Sequence, residues 1–166
     1  MNAKAARITA FQNNVEERDL ASPSVHSFSL SRAQHSKVRV NNPSSTWIDD
    51  LKERFDELVS LPVGWDGYTG KPVSFTCAQF AANLIERLYD ELLPPPNLIP
   101  GSDGTLQIEW HRNHFDIEID VLAPYQVIAT RYDCKSGRQE EFDLDSDFTL
   151  LADWLSELGE SNRAAA

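Results

Sequence analysis

The run Leu106-Gln107-Ile108-Glu109-Trp110-His111-Arg112-Asn113-His114-Phe115-Asp116-Ile117-Glu118-Ile119-Asp120-Val121 decides the fold. Apolar and polar residues alternate on both sides of a polar centre. A period of two puts Leu106, Ile108 and Trp110 on one side of a strand and Gln107 and Glu109 on the other. Phe115, Ile117, Ile119 and Val121 oppose Asp116, Glu118 and Asp120 in the same way. With Arg112, Asn113 and His114 in the turn, the run predicts an antiparallel hairpin with one buried face. Setting Trp110 opposite Phe115 places Ile108 opposite Ile117, Leu106 opposite Ile119 and Glu109 opposite Asp116.

Strands continue downstream. Gln126 to Tyr132 follows Pro124, and Gln139 to Leu144 follows the Lys135-Ser136-Gly137 turn. Turn geometry sets Val121 opposite Val127, Ile119 opposite Ala129, Ala129 opposite Phe142 and Arg131 opposite Glu140. A closing helix is predicted from about Ser146 to Leu158, with Phe148, Leu151, Trp154, Leu155 and Leu158 on its apolar face and Gly159 as its stop. Upstream, Trp47, Ile48, Leu51, Phe55, Leu58 and Val59 follow helical spacing after Ser45 or Thr46, and Leu61-Pro62 ends that helix. A second helix starts after Ser74 and runs toward Leu92, before Pro94-Pro95-Pro96 removes the backbone donors. The fold class is α+β: two N-terminal helices, an antiparallel meander of about four strands and one C-terminal helix, with the helices packed on one sheet face. Residues 1–43, rich in Ser, Asn, Ala and Gln, read as a mostly disordered tail. Residues 44–160 form a single domain and residues 161–166 a disordered end.

In this register the second sheet face carries Glu109, Asp116, Glu118, Asp120, Glu141 and Asp143, beside Gln107, Ile128, Thr130, Tyr132 and Gln139, and no Lys or Arg. Like charges directly opposite one another destabilise a sheet by roughly 0.2–1 kcal/mol. Selection for stability alone would intersperse positive charges. Such a face suits docking to a basic protein groove. The plainer alternative is a solvated face that keeps the protein soluble and resists aggregation.

The whole-chain charge agrees. There are 26 Asp and Glu against 15 Lys and Arg in 166 residues, a formal net charge of −11. That balance opposes direct nucleic-acid binding, which needs a cationic surface, and opposes anionic membranes. No apolar run reaches the roughly 18 residues of a membrane span, and no apolar signal core opens the chain. Cys77 and Cys134 have no CxxC neighbour and read as reduced thiols. The expected location is the cytoplasm.

Metal chemistry is weighed on the same acids. Asp116, Glu118 and Asp120 point one way along a strand and offer oxygen ligands for Mg²⁺ or Ca²⁺. Asp103, Glu109 and His111 weakly suggest a nuclease motif, but the Lys that usually accompanies such acids is missing. His111 and His114 flank a turn without two further zinc ligands. Gly70-Lys71-Pro72 is not a phosphate loop, because Ser or Thr is absent and Pro72 has no N–H. No catalytic centre, metal site or cofactor is specified.

The stretch Leu61-Pro62-Val63-Gly64-Trp65-Asp66-Gly67-Tyr68, followed by Gly70-Lys71-Pro72, is the most distinctive. With Pro100-Gly101-Ser102-Asp103-Gly104-Thr105-Leu106-Gln107-Ile108-Glu109-Trp110 it resembles a family of small uncharacterised bacterial proteins, some on phage or other mobile DNA, marked by an LPxGWDGYxxxP loop and a DGxxxxEW strand. The resemblance covers roughly residues 47–121. The Gly-Ala usual after the Tyr is replaced here by Thr69-Gly70-Lys71. The resemblance implies a mobile-element setting and supplies no mechanism. Physically, Gly64 and Gly67 permit tight turns, and Asp66 suits an Asx turn. Trp65 and Tyr68 either plug a gap in the structure or anchor a partner.

The predicted function is therefore a non-catalytic acidic binding protein that inhibits or neutralises a basic-surfaced protein. Examples of the class are a phage or mobile-element inhibitor of a nucleic-acid-handling defence complex and an antitoxin. Glu109, Asp116, Glu118, Asp120, Glu141 and Asp143 are the contact residues, with Trp65 and Tyr68 as further anchors. Alternatives are a metal-dependent, nuclease-like enzyme using the sheet carboxylates and a structural subunit of a larger assembly.

Overall fold

The computed structural model describes residue 37, residues 48–90 and residues 92–165. The tail expected over residues 1–43 and the helix start at Ser45 or Thr46 lie outside them, apart from Lys37. The described chain runs α1 (Ile48–Val59), α2 (Phe75–Leu88), β1 (Asn97–Pro100), β2 (Leu106–Arg112), β3 (Phe115–Ala123), β4 (Gln126–Asp133), β5 (Arg138–Leu144) and α3 (Thr149–Ala165). It is an α+β arrangement of three helices and one antiparallel sheet with strand order β1-β2-β3-β4-β5.

Each helix has a local cause. Asp49 and Asp50 sit in the first turn of α1, where the helix dipole favours negative charge. The Ser74 hydroxyl caps α2 by accepting from the Cys77 N–H at 3.2 Å. That helix ends at Leu88, short of the predicted Leu92. Tyr89 turns extended, and the Asp90 carboxylate captures the Leu92 N–H at 2.8 Å, so the backbone leaves the helix before the prolines. The α3 helix does not stop at Gly159 but continues to Ala165, so residues 161–165 are helical rather than a disordered end. Gly159 is buried, and a Cβ built on it would sit 3.4 Å from the Leu92 Cβ. A Cβ there would make only ordinary contact, so Gly159 neither ends the helix nor fills a space that demands glycine.

The sheet has five strands, not four. Asn97–Pro100 was hidden by the prolines before and within it, yet it pairs antiparallel with β2. An edge strand tolerates proline because only one side of it needs backbone donors. The β2–β3 register also differs from expectation. Trp110 lies opposite Ile117, Leu106 opposite Val121, and Glu109 opposite Glu118. The turn is the two-residue Asn113-His114, both at positive φ (57° and 85°), so Arg112 pairs with Phe115. Such turns match the twist of the flanking strands. The error is two residues, an even shift, and leaves every side chain on its assigned face. The other predicted pairs occur: Val121 with Val127, Ile119 with Ala129, Ala129 with Phe142 and Arg131 with Glu140.

Buried side chains from all three helices join those of β1 to β4 in one hydrophobic cluster. Phe55, Leu58, Ile108, Ile117, Ile119, Leu151 and Leu158 are almost fully inaccessible within it. Cys77 is also buried and donates its thiol toward the Leu122 carbonyl at 3.5 Å. At the edge of this cluster the Arg131 guanidinium lies 4.0 Å from the Phe115 ring centre and bonds Glu157 at 2.7 Å. No described helix is long and apolar enough to cross a membrane.

Candidate binding face

Strand parity assembles the candidate face. Directly paired residues share a side, so Glu109, Glu118 and Thr130 align across three strands, as do Gln107, Asp120 and Ile128. Asp116 pairs with His111 and Tyr132, Glu141 with Thr130, and Asp143 with Ile128. All six predicted carboxylates therefore lie on the side opposite the buried strand residues. Among the described strand residues, neither Lys nor Arg shares that side. Arg112, Arg131 and Arg138 occupy positions of the other parity.

One basic group does share it. His111, which the sequence sets at the flank of the turn, lies within β2 and continues its alternation. Its Nδ1 lies 2.9 Å from Asp116 and its Nε2 3.0 Å from Glu109. The Glu109 side chain is only 12% exposed and that of His111 47%. Hydrogen bonds to Asp116 and then Glu109 raise the imidazole pKa, and burial opposes them more weakly. The Cys134 thiol approaches the second oxygen of Asp116 at 3.6 Å. The signal for His111 was present in the sequence: Gln107, Glu109 and His111 continue one parity once the turn is shortened to two residues.

The central acids carry an electrostatic penalty. Burial raises the pKa of Glu118 first, and the carboxylates of Glu109 and Asp120 add to it. Burial likewise leads the rise at Asp120, followed by Glu109, while a hydrogen bond to Gln107 works against it and Glu141 raises it further. Gln107 also donates to Glu118 at 3.3 Å. The folded protein thus holds these groups where ionisation is disfavoured. Among the described residues no three His, Cys, Asp or Glu side chains converge in a way that would hold a metal ion. The acids form a field along the strands rather than a coordination cage.

The Gly-Trp loop stands on different supports. Asp66 accepts from the N–H groups of Tyr68 at 2.9 Å and Gly70 at 2.8 Å, which lowers its pKa. Trp65 donates its indole N–H to the Lys71 carbonyl at 2.8 Å. Gly64 donates to the Gly70 carbonyl at 2.7 Å and takes φ +82°. The loop docks onto the 101–105 turn: Lys71 donates to the Ser102 carbonyl at 2.8 Å and Ser74 to the Gly104 carbonyl at 2.9 Å. The two sequence motifs, remote along the chain, are one structural unit. Within it Trp65 is a brace, whereas Tyr68 is 87% exposed and Val63 78%. The loop's hydrogen bonds close on itself and on the 101–105 turn, not on the six carboxylates.

Comparison with family models, curated proteins and solved structures returns no match. The fold and face define an α+β protein with an acidic sheet surface, and its function rests on the geometry alone.

Proposed function

We propose that the protein is a non-catalytic binding protein whose acidic sheet face docks a basic-surfaced protein and thereby inhibits or neutralises it. One observation carries this: Glu109, Asp116, Glu118, Asp120, Glu141 and Asp143 share a side on which no described strand places Lys or Arg. Burial and the neighbouring carboxylates raise the pKa of both Glu118 and Asp120, so the fold sets these acids where ionisation is disfavoured. A surface needed only for solubility has no reason to concentrate them on central strands.

Buried side chains of the three helices cluster with those of the strands, and among the described strand residues the six carboxylates lie on the opposite parity. Alternate residues on a strand are about 6.5–7 Å apart, so a rigid sheet presents its carboxylates as a spaced row of anions. A protein groove that normally holds nucleic acid is complementary to such a row. Within this class the proposal is a phage or mobile-element inhibitor of a defence complex, or an antitoxin, acting in the cytoplasm. Tyr68, held out by the Asp66 lock, is a second contact; Trp65 acts by holding the loop.

The test is co-purification from a bacterial lysate with the protein and its Glu118→Gln/Asp120→Asn variant side by side. A nucleic-acid-handling protein of basic surface should elute with the former and be depleted with the latter. Recovery of the same partners by both in equal amounts would defeat the proposal.

A further inference from the structure

We infer that β5 is a strand-addition site for an extended, basic segment of the partner. The inference rests on the basic-partner proposal and specifies how that partner is held. Strand order places β5 at the edge of the sheet, hydrogen-bonded to β4 alone. Among the described residues no backbone group of another element pairs with its outer side. The strand is seven residues long, Arg138–Leu144, and contains no proline or bulge. The opposite edge is blunted: β1 has four residues and ends in Pro100. Unpaired backbone N–H and C=O groups along a regular edge form a template for another strand.

Charge selects the occupant. In a two-fold antiparallel pairing with a second copy centred on Glu141, Glu141 would face itself and Gln139 would face Asp143. Glu140 would then face Phe142 and Arg138 Leu144, so this register gives a second copy a Glu141–Glu141 clash and no ion pair. A foreign strand would place alternate side chains beside Glu141 and Asp143, where Lys or Arg is favoured. Its intervening side chains would meet Phe142, which is 44% exposed and lies 6.1 Å from Trp154 ring to ring. The pattern that fits is therefore basic and apolar residues in alternation.

The C-terminal end of β5 adds an anchor point. A cleft of about 380 Å³ opens there, walled by Leu122, Tyr125 and Ile128 and rimmed by Asp143 and Asp145. Tyr125 is held at φ 62°, unusual for a residue other than glycine, and is 63% exposed. An arginine side chain suits this cleft, with its aliphatic stem on the apolar wall and its guanidinium at the carboxylates.

The experiment uses the full chain and a synthetic seven-residue peptide of alternating arginine and valine. Two further versions are N-methylated, one on every arginine amide and one on every valine amide. Charge is identical in all three. Strand addition uses only one alternate set of amides, so one methylated peptide should bind about tenfold or more weakly and the other like the parent. The parent should also protect alternate β5 amides from hydrogen exchange. Equal binding of all three would overturn strand addition while leaving the acidic-face proposal standing. Failure of the parent to bind at low salt would overturn both.

Discussion

His111 shows how one residue joins charge to stability. It is the described basic side chain on the acidic face, and it bridges Glu109 and Asp116. Its folded pKa lies above the ordinary 6.5. Its stabilising contribution is therefore complete below 6.5 and is lost as pH rises through the folded value. Glu118 and Asp120 act in the same direction. Their folded pKa values lie above the ordinary 4.5 and 3.8, so the folded state gains protons first and becomes relatively more stable as pH falls through those raised values. Asp66, Asp103, Asp133, Asp145 and Asp147 have lowered values, so their contributions are present above 3.8 and disappear as pH falls through the folded values. The melting temperature should climb from about pH 8 to about pH 5 and fall in stronger acid. His111→Asn should flatten the upper part of that climb, as read by scanning calorimetry. An unchanged profile in the variant would remove His111 from the account.

At the scale of elements, the two glycines that matter most make opposite predictions. A Cβ on Gly70 would lie 2.7 Å from the Asp66 carboxyl carbon, and that carboxylate is fixed by two backbone N–H groups. Gly70→Ala should cost about 1–3 kcal/mol in urea denaturation, because the clash falls on a group that cannot swing away. Gly159 sits inside a helix, where a Cβ would make ordinary contact with Leu92. Gly159→Ala should therefore stabilise by roughly 0.5–1 kcal/mol through helix propensity. Loss of stability there would mean that the α3 contact is tighter than its distances indicate. The same elements show what was legible in the chain. Alternation in Leu106–Val121 and the cap at Ser74 located strands and a helix directly. Gly159 misled because a glycine that ends a helix and one that lies within it look alike in the sequence. The strand Asn97–Pro100 was obscured because edge position, which excuses its proline, is a property of the sheet. Asn113-His114 hid the true register because two successive non-glycine residues at positive φ are uncommon and no glycine marks the turn. The acidic face survived because the resulting error was even.

For the whole molecule, the central consequence is a trade between stability and binding. Neutralising Glu118 and Asp120 removes like-charge contacts on half-buried strand positions while keeping an acceptor oxygen for Gln107. Glu118→Gln/Asp120→Asn should therefore stabilise the fold by roughly 0.2–1 kcal/mol at neutral pH, measured by urea denaturation, yet bind its partner less well. A variant that lost both stability and binding would point to a structural role for the two acids. The same substitutions keep a weakened complex from being attributed to unfolding. The most direct measurement is the affinity for the co-purified partner as a function of salt, for the protein and for this variant. The protein should lose affinity steeply with rising salt, and the variant should bind about tenfold or more weakly at low salt with a shallower slope. Equal affinities and equal slopes for the two would contradict the proposal.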